Sequence, residues 1–269
     1  MIKPFTKKVC ILGAGRLGTS LAFALQSTKA ELVALWNRRP STSHTMLSQS
    51  NLPYTVGNLP QSMIEVSDLV ILAVHDQAIP EMAQRLLQEL ELPTGCTILH
   101  CSGRTSLEPL KALQSKDLHT GSFHPLQPIT AKSMTPAQSQ QSPSSTDKLP
   151  SRQGASTQNL DTSSYQDPQQ DSSHPHNPPK QHEEIAKGKS LFSDIQVGVD
   201  GDAHAVEMAT QLVQSLDGQV FSLKGVDRDL YHAAAVMASN FVVTLAHQSC
   251  QWMKAAGIQQ DPLPLLLPL

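Results

Sequence analysis

Two groups of residues in this 269-residue chain have the types and spacing for chemistry. The first is Gly13-Ala14-Gly15-Arg16-Leu17-Gly18, a Gly-x-Gly-x-x-Gly run of the kind that holds the pyrophosphate of a dinucleotide. Gly13 allows a tight turn, Gly15 lets backbone approach the pyrophosphate, and Gly18 lets a helix pack closely on its strand. The anion then rests on the free N–H groups at the helix start. The second group is Ser102, His124, His232 and Asn240. Reduction of a carbonyl or imine needs a proton donor beside the developing anion or amide, and an imidazole with a pKa of about 6.5 serves either direction of transfer. His124 is the leading candidate, because Pro125 biases the residue before it toward an extended backbone and so holds the imidazole at a strand end. Ser102 turns off a strand end where a substrate or nicotinamide would lie. His232 and Ser239 are spaced to share one helix face, with Asn240 beside them. Plainer roles compete with each of these. They are a glycine-rich structural turn, a His124 that only pins its corner, a His232 that caps or pairs near the helix start, and an Asn240 bonded to neighbouring backbone.

Stepwise along the chain, the pattern supplies a parallel sheet to gather them. Residues 9–12 form a buried strand before the glycines, and Leu17, Leu21 and Ala24 recur at helical spacing after them. Residues 31–37 are a second strand, ending in Asn37-Arg38-Arg39 at the place where a ribose is read. NAD sites usually put a carboxylate there; an amide and two guanidiniums welcome a 2′-phosphate and favour NADP over NAD. The alternative is that Arg38 and Arg39 are solvated loop charges before Pro40. After a short third strand at 54–56, residues 68–74 form a near-continuous apolar run, the mark of a strand buried on both faces, with Val74 at its cofactor edge. His75 lies at the same edge and reads more simply as a solvated loop histidine, and Asp76 opens the helix that follows. Strands at 97–100 and 120–127 and a helical segment at 107–113 complete this half, with Cys101 read as a packed thiol.

The C-terminal part alternates like a strand at 191–199. A helix follows Gly201-Asp202 and ends at Gly218, then comes a short strand at 219–223. Residues 227–256 form the longest helical pattern, closed by Gly257, with small residues at 233–235, 238 and 239 that permit close packing across to a second subunit. The fold class expected is therefore α/β: a Rossmann-type parallel sheet domain at 1–130, then a smaller, mainly helical domain at 190–269. Between them, 131–189 is rich in Ser, Gln, Pro, Asn and Asp and cannot offset the entropy of ordering, which predicts a disordered insertion. His174, His176 and His182 within it read as solvated rather than metal-bound, and no metal site is expected.

A net charge of −3 and a pI near 6.4 give no pull toward nucleic acid or an anionic membrane. No apolar run reaches the roughly 18 residues of a membrane helix, and none after the basic N-terminus is long enough for a signal-peptide core. The cysteines, Cys10, Cys96, Cys101 and Cys250, form no C-x-x-C pair and predict reduced thiols in a cytoplasmic protein.

Taken together, residues 13–18, His100-Cys101-Ser102-Gly103, residues 121–127 and residues 231–240 closely resemble the Rossmann-like oxidoreductases that carry a C-terminal domain of unknown function 2520. These are similar in layout to pyrroline-5-carboxylate reductases and, at the His-Pro corner, to prephenate dehydrogenases, which place a catalytic histidine in a similar corner. The resemblance implies an N-terminal NADP-binding domain, a helical domain used for homodimerisation and an unassigned small-molecule substrate. It also implies further helices beyond the apolar end at 261–269, so this domain is expected to be incomplete. Two other functions are carried beside the oxidoreductase reading: a non-catalytic NADP sensor or scaffold, and an interaction role centred on the polar insertion.

Overall fold

The computed structural model describes residues 4–126 and 192–266. The expected insertion at 131–189 and its histidines lie outside the described residues. Eight strands form one sheet in the order β3-β2-β1-β4-β5-β6-β7-β8 among the described residues. In chain order the elements of the first half are β1 (Lys8–Leu12), α1 (Arg16–Leu25), β2 (Glu31–Asn37), α2 (His44–Ser48), β3 (Tyr54–Val56), α3 (Gln61–Ile64), β4 (Leu69–Leu72), α4 (Ile79–Glu89), β5 (Thr97–His100) and β6 (His119–Pro125). β1 to β6 run parallel, and chain order reverses between β1 and β4. That reversal opens a crevice at the strands' carboxyl ends, where open α/β sheets bind ligands. β4 is buried at all its positions, as its unbroken apolar run requires.

The expected helix at 107–113 is instead a 3₁₀ helix over Glu108–Lys116 with Pro109 in its first turn. Residues 196–222, read from sequence as the start of the C-terminal part, extend the same sheet. β7 (Gln196–Gly201) pairs antiparallel with β6, α5 (Ala203–Ser215) crosses over, and β8 (Gln219–Ser222) pairs parallel with β7. The strand expected from 191 begins only at Gln196, because Asp194 turns the chain at φ 64°. Asp202 caps α5 by accepting from Ala205 N at 2.9 Å. Past α5 it is Asp217, at φ 60°, that takes the left-handed position expected of Gly218.

The chain then leaves the sheet as one long helix in three parts: α6 (Arg228–Val236), a π turn (Met237–Phe241) and α7 (Val242–Ala255). Asp227 caps it by accepting from Asp229 N and Leu230 N, and Gly257 closes it at φ 97°. α8 (Leu263–Leu266) follows. The core lies in two apolar clusters, one built on Val9, Ile11, Leu21 and Val197, the other on Cys10, Leu12, Val70 and Leu86. Alternation along β1 sends neighbouring side chains to different clusters. The long helix has no buried residue.

Candidate functional site

The glycine turn joins β1 to α1. Gly13 adopts φ +121°, and a Cβ there would fall on the Ala73 carbonyl at the end of β4. A Cβ on Gly18 would fall on the Gly13 carbonyl, so the first and third glycines are fixed by backbone crowding. Gly15 differs: a Cβ there would meet nothing within 4 Å. Its backbone borders open space beside the N-terminal turn of α1, as approach to a pyrophosphate requires.

That space is a cavity of about 690 Å³ running from Gly13, Gly15, Arg16 and Leu17, past Asn37, Arg38, Arg39 and Ser41, to Ala73, His75, Cys101, His124 and Pro125. Three arginines thus line one half of it and two histidines the other. A smaller hollow of about 130 Å³ adjoins it between Trp36, Arg38, Val74, His75, Ala78 and Met82. Arg38 borders both and is held by Glu81 at 3.5 Å, an exposed pair of little energetic weight. Asn37 does not offer its side chain freely. Its Oδ1 accepts from Ala14 N at 3.3 Å and its Nδ2 donates to the Arg39 carbonyl at 2.6 Å. The amide therefore ties the glycine turn at Ala14 to the arginine loop.

At the far end, β6 carries His124 to the cavity. Gly103 lies under its ring: a Cβ on Gly103 would stand 2.6–2.8 Å from three ring atoms. Nδ1 of His124 is 2.7 Å from the Tyr231 hydroxyl, and the two rings meet edge to face at 5.5 Å. His232 is next, its ring 6.4 Å from that of His124 and its Nδ1 buried with no partner among the described residues. Burial, then His232, then Arg228 push the His124 pKa down to about 4 against an opposing pull from Asp76. His124 is therefore neutral at pH 7, where the sequence suggested a value suited to both directions.

Other site residues fall differently from expectation. The Ser102 hydroxyl accepts from Arg104 N at 3.2 Å and Thr105 N at 2.9 Å and so holds the turn that follows β5. Asn240 is exposed on the long helix, its Oδ1 paired with the Ser239 hydroxyl. It lies about 12 Å along the axis from His232, by the rise per residue, and does not join the cluster. His75, read as a solvated loop residue, lines both hollows. Burial pushes the Cys101 thiol up to about 12, in keeping with a packed thiol and not a nucleophile.

Sequence reasoning did not single out Tyr231 or Arg228. Arg228 forms a partly buried ion pair, Nη2 donating to Asp200 Oδ2 at 2.9 Å and to Ser122 Oγ at 3.1 Å, and so ties the start of α6 to β6 and β7. The available signal was Arg228 and Tyr231 standing three apart on one helix face; their partners lie too far away in sequence to be found by pattern. Among the described residues no cluster of metal-ligating side chains is present and no helix is long and apolar enough to cross a membrane.

Residues 1–125 match the model of a Rossmann-like domain, and residues 195–269 match that of a domain of unknown function (DUF2520). No curated protein matches the chain. Among solved structures, a Bacteroides fragilis protein provisionally described as an NADP oxidoreductase is similar, with a TM-score of 0.61 and 16% identity, over 97% of this chain and 76% of that one. A 1-pyrroline-5-carboxylate reductase of Streptococcus pyogenes is similar with a TM-score of 0.55 and 17% identity, over 94% and 71%. The reductive aminase of Aspergillus terreus, solved with NADPH and ethyl-5-oxohexanoate, is similar with a TM-score of 0.56 and 14% identity, over 98% and 72%. At these identities the likeness is one of fold.

Proposed function

We propose that this chain, a Rossmann-like domain joined to a domain of unknown function 2520, is an NADP-dependent oxidoreductase that transfers a hydride to or from a small carbonyl, hydroxyl or imine substrate. One observation carries the reading: a single cavity runs from the open face of Gly15, past Arg16, Arg38 and Arg39, to the imidazole of His124. The residues fit the dinucleotide phosphate. The glycine turn leaves backbone space for the pyrophosphate, Arg38 and Arg39 stand where a 2′-phosphate would need pairing, and Val74 borders the hollow next to Arg38. The fold neighbours that are described with NADP or NADPH support the same cofactor.

The nicotinamide would supply or accept the hydride. The chain's own part is the proton. A neutral His124, its ring seated on Gly103 and its Nδ1 engaged by Tyr231, keeps Nε2 for the substrate oxygen or nitrogen, the atom through which a proton is exchanged with substrate. His232 stands beside it to hold substrate. The test is consumption of NADPH by the full chain against a panel of small keto acids, aldehydes and cyclic imines, with His124→Gln as control. Turnover that falls at least about 100-fold in the variant is expected, the usual weight of a general acid–base group. Turnover unchanged by the variant overturns the role of His124, and no turnover with any member despite NADPH binding favours a sensor.

The same reading includes a homodimer through the long helix. Leu230, Met237, Phe241, Leu245 and Trp252 recur at helical spacing along one face of it and are each more than half exposed, an apolar stripe of the kind that another surface covers. Sedimentation of the full chain as a dimer, reduced to a monomer by Leu245→Glu with Trp252→Glu, is expected; a monomer at all concentrations contradicts it. We assign the chain to the cytoplasm, on the strength of the buried, unpaired thiols of Cys10, Cys96 and Cys101. Residues 1–130, 131–189 and 190–269 are taken as its cofactor domain, insertion and C-terminal domain.

A further inference from the structure

We propose that Tyr231 is a positioning residue for the reaction, fixing the tautomer of His124 and passing it a proton during reduction. The inference rests on the oxidoreductase reading. Burial, with His232 and Arg228 close by, keeps His124 neutral. A neutral imidazole that gave up its Nε2 proton alone would be left as an imidazolate, an unfavourable anion in a half-buried place.

The geometry removes the difficulty. The Tyr231 hydroxyl lies 2.7 Å from Nδ1, a distance at the short end of the hydrogen-bonding range. Burial raises the phenol pKa, so Tyr231 is protonated in the resting protein and can donate to Nδ1. The proton of the ring then sits on Nε2, which has no hydrogen-bond partner among the described residues and belongs to a ring that lines the cavity. The Tyr231 ring is itself held, between the edge-to-face contact with His124 and a contact with Phe221 at 6.2 Å. Its helix is pinned one turn earlier by the Arg228–Asp200 pair.

As a hydride reaches the carbonyl or imine carbon and reduces it, the Nε2–H bond of His124 breaks and a new bond forms from that proton to the substrate oxygen or nitrogen. At the same time the Tyr231 O–H bond breaks and the proton joins Nδ1. The imidazole ends neutral, as its other tautomer, and the negative charge rests on the phenolate, which takes a proton from water because Tyr231 is only half-buried. Arg228 is placed to ease that charge. It lies three residues earlier on the same helix face, its charge draws the phenol pKa down against burial, and its Nη1 is buried with no partner among the described residues.

The test is nitrogen NMR of the full chain labelled at histidine, without cofactor, the His124 signals being assigned by their loss in His124→Gln. The Nε2–H tautomer with a hydrogen-bonded Nδ1 is expected in the native chain, and loss of that bond with mixed tautomers in Tyr231→Phe. A native Nδ1–H tautomer, or a His124 signal unaltered in Tyr231→Phe, overturns the proposal without any need for the variant to turn over. On any panel member that oxidises NADPH, Tyr231→Phe is expected to lower kcat about 100-fold with KM held within about threefold. A higher KM with unchanged kcat overturns it. Failure of NADPH to bind the native chain would instead defeat the oxidoreductase reading and leave the tautomer measurement standing.

Discussion

Gly15→Ala separates a cofactor turn from a merely structural one. The three motif glycines are not equivalent in space. Alanine at Gly13 or Gly18 drives a methyl into a backbone carbonyl and must disturb the turn itself. At Gly15 the backbone has φ −74° and ψ −171°, a region open to any L-residue, and the new methyl meets nothing within 4 Å. Stability should therefore stay within about 0.5 kcal/mol of native, or rise slightly because the unfolded chain loses freedom. Binding should not be spared. The methyl would occupy the space where the pyrophosphate must approach, and overpacking of that kind costs about 1–3 kcal/mol, or roughly 5- to 150-fold in Kd. The assay pairs urea unfolding with a fluorescence titration by NADPH on the same preparation. A variant that binds NADPH as the native chain does, or that loses more than about 2 kcal/mol of stability, would refute the reasoning and leave the motif a structural turn.

Arg38→Ala should weaken NADPH about 10-fold or more while leaving NADH within about twofold, since a charge-assisted bond to a 2′-phosphate contributes about 1.5–3 kcal/mol; paired titrations giving equal losses would show that Arg38 does not read the phosphate. Gly103→Ala should push the His124 ring off its seat, breaking the Tyr231 bond at a cost of about 1–2 kcal/mol, with loss of turnover but not of NADPH binding; unfolding and titration at native values would show the ring adapts without consequence. Acid should destabilise the fold. Burial and then Arg228 hold His100 near a pKa of about 4, and His124 is held equally low, against about 6.5 for an unfolded histidine. Between those values the unfolded chain binds protons that the folded one does not, so stability present above about pH 6.5 is lost as pH falls toward 4. For the fully buried His100 the loss is about 3 kcal/mol. Urea unfolding across that window measures it, and a slope that His100→Asn leaves unchanged would contradict the assignment.

The sheet was readable because its strands announce themselves locally. The apolar run before the glycines and the longer one at β4 allow little else, and both appear where the pattern puts them. The antiparallel attachment of β7 was not readable, since nothing local to residues 196–201 states which strand they pair with. The site divides along the same line. Gly13, Gly15, Gly18, Arg38 and His124 declare themselves by motif and position. Tyr231 matters only because β6 brings a histidine against it from residue 124, and Arg228 only because Asp200 and Ser122 converge on it. Ser102 was readable by its strand-end position, whereas the two backbone N–H groups its hydroxyl accepts from were not. For Asn240 the spacing gives a helix face but not the distance along the helix from His232.

The central claim is that the cavity from Gly15 to His124 takes a phosphorylated nicotinamide dinucleotide. Equilibrium titration of the full chain with NADPH and, separately, with NADH tests it most directly. Micromolar binding of NADPH, with NADH weaker by about tenfold or more, is the expected result. Absence of binding by both would contradict the account, and equal binding would retain the dinucleotide and remove the role given to Arg38 and Arg39.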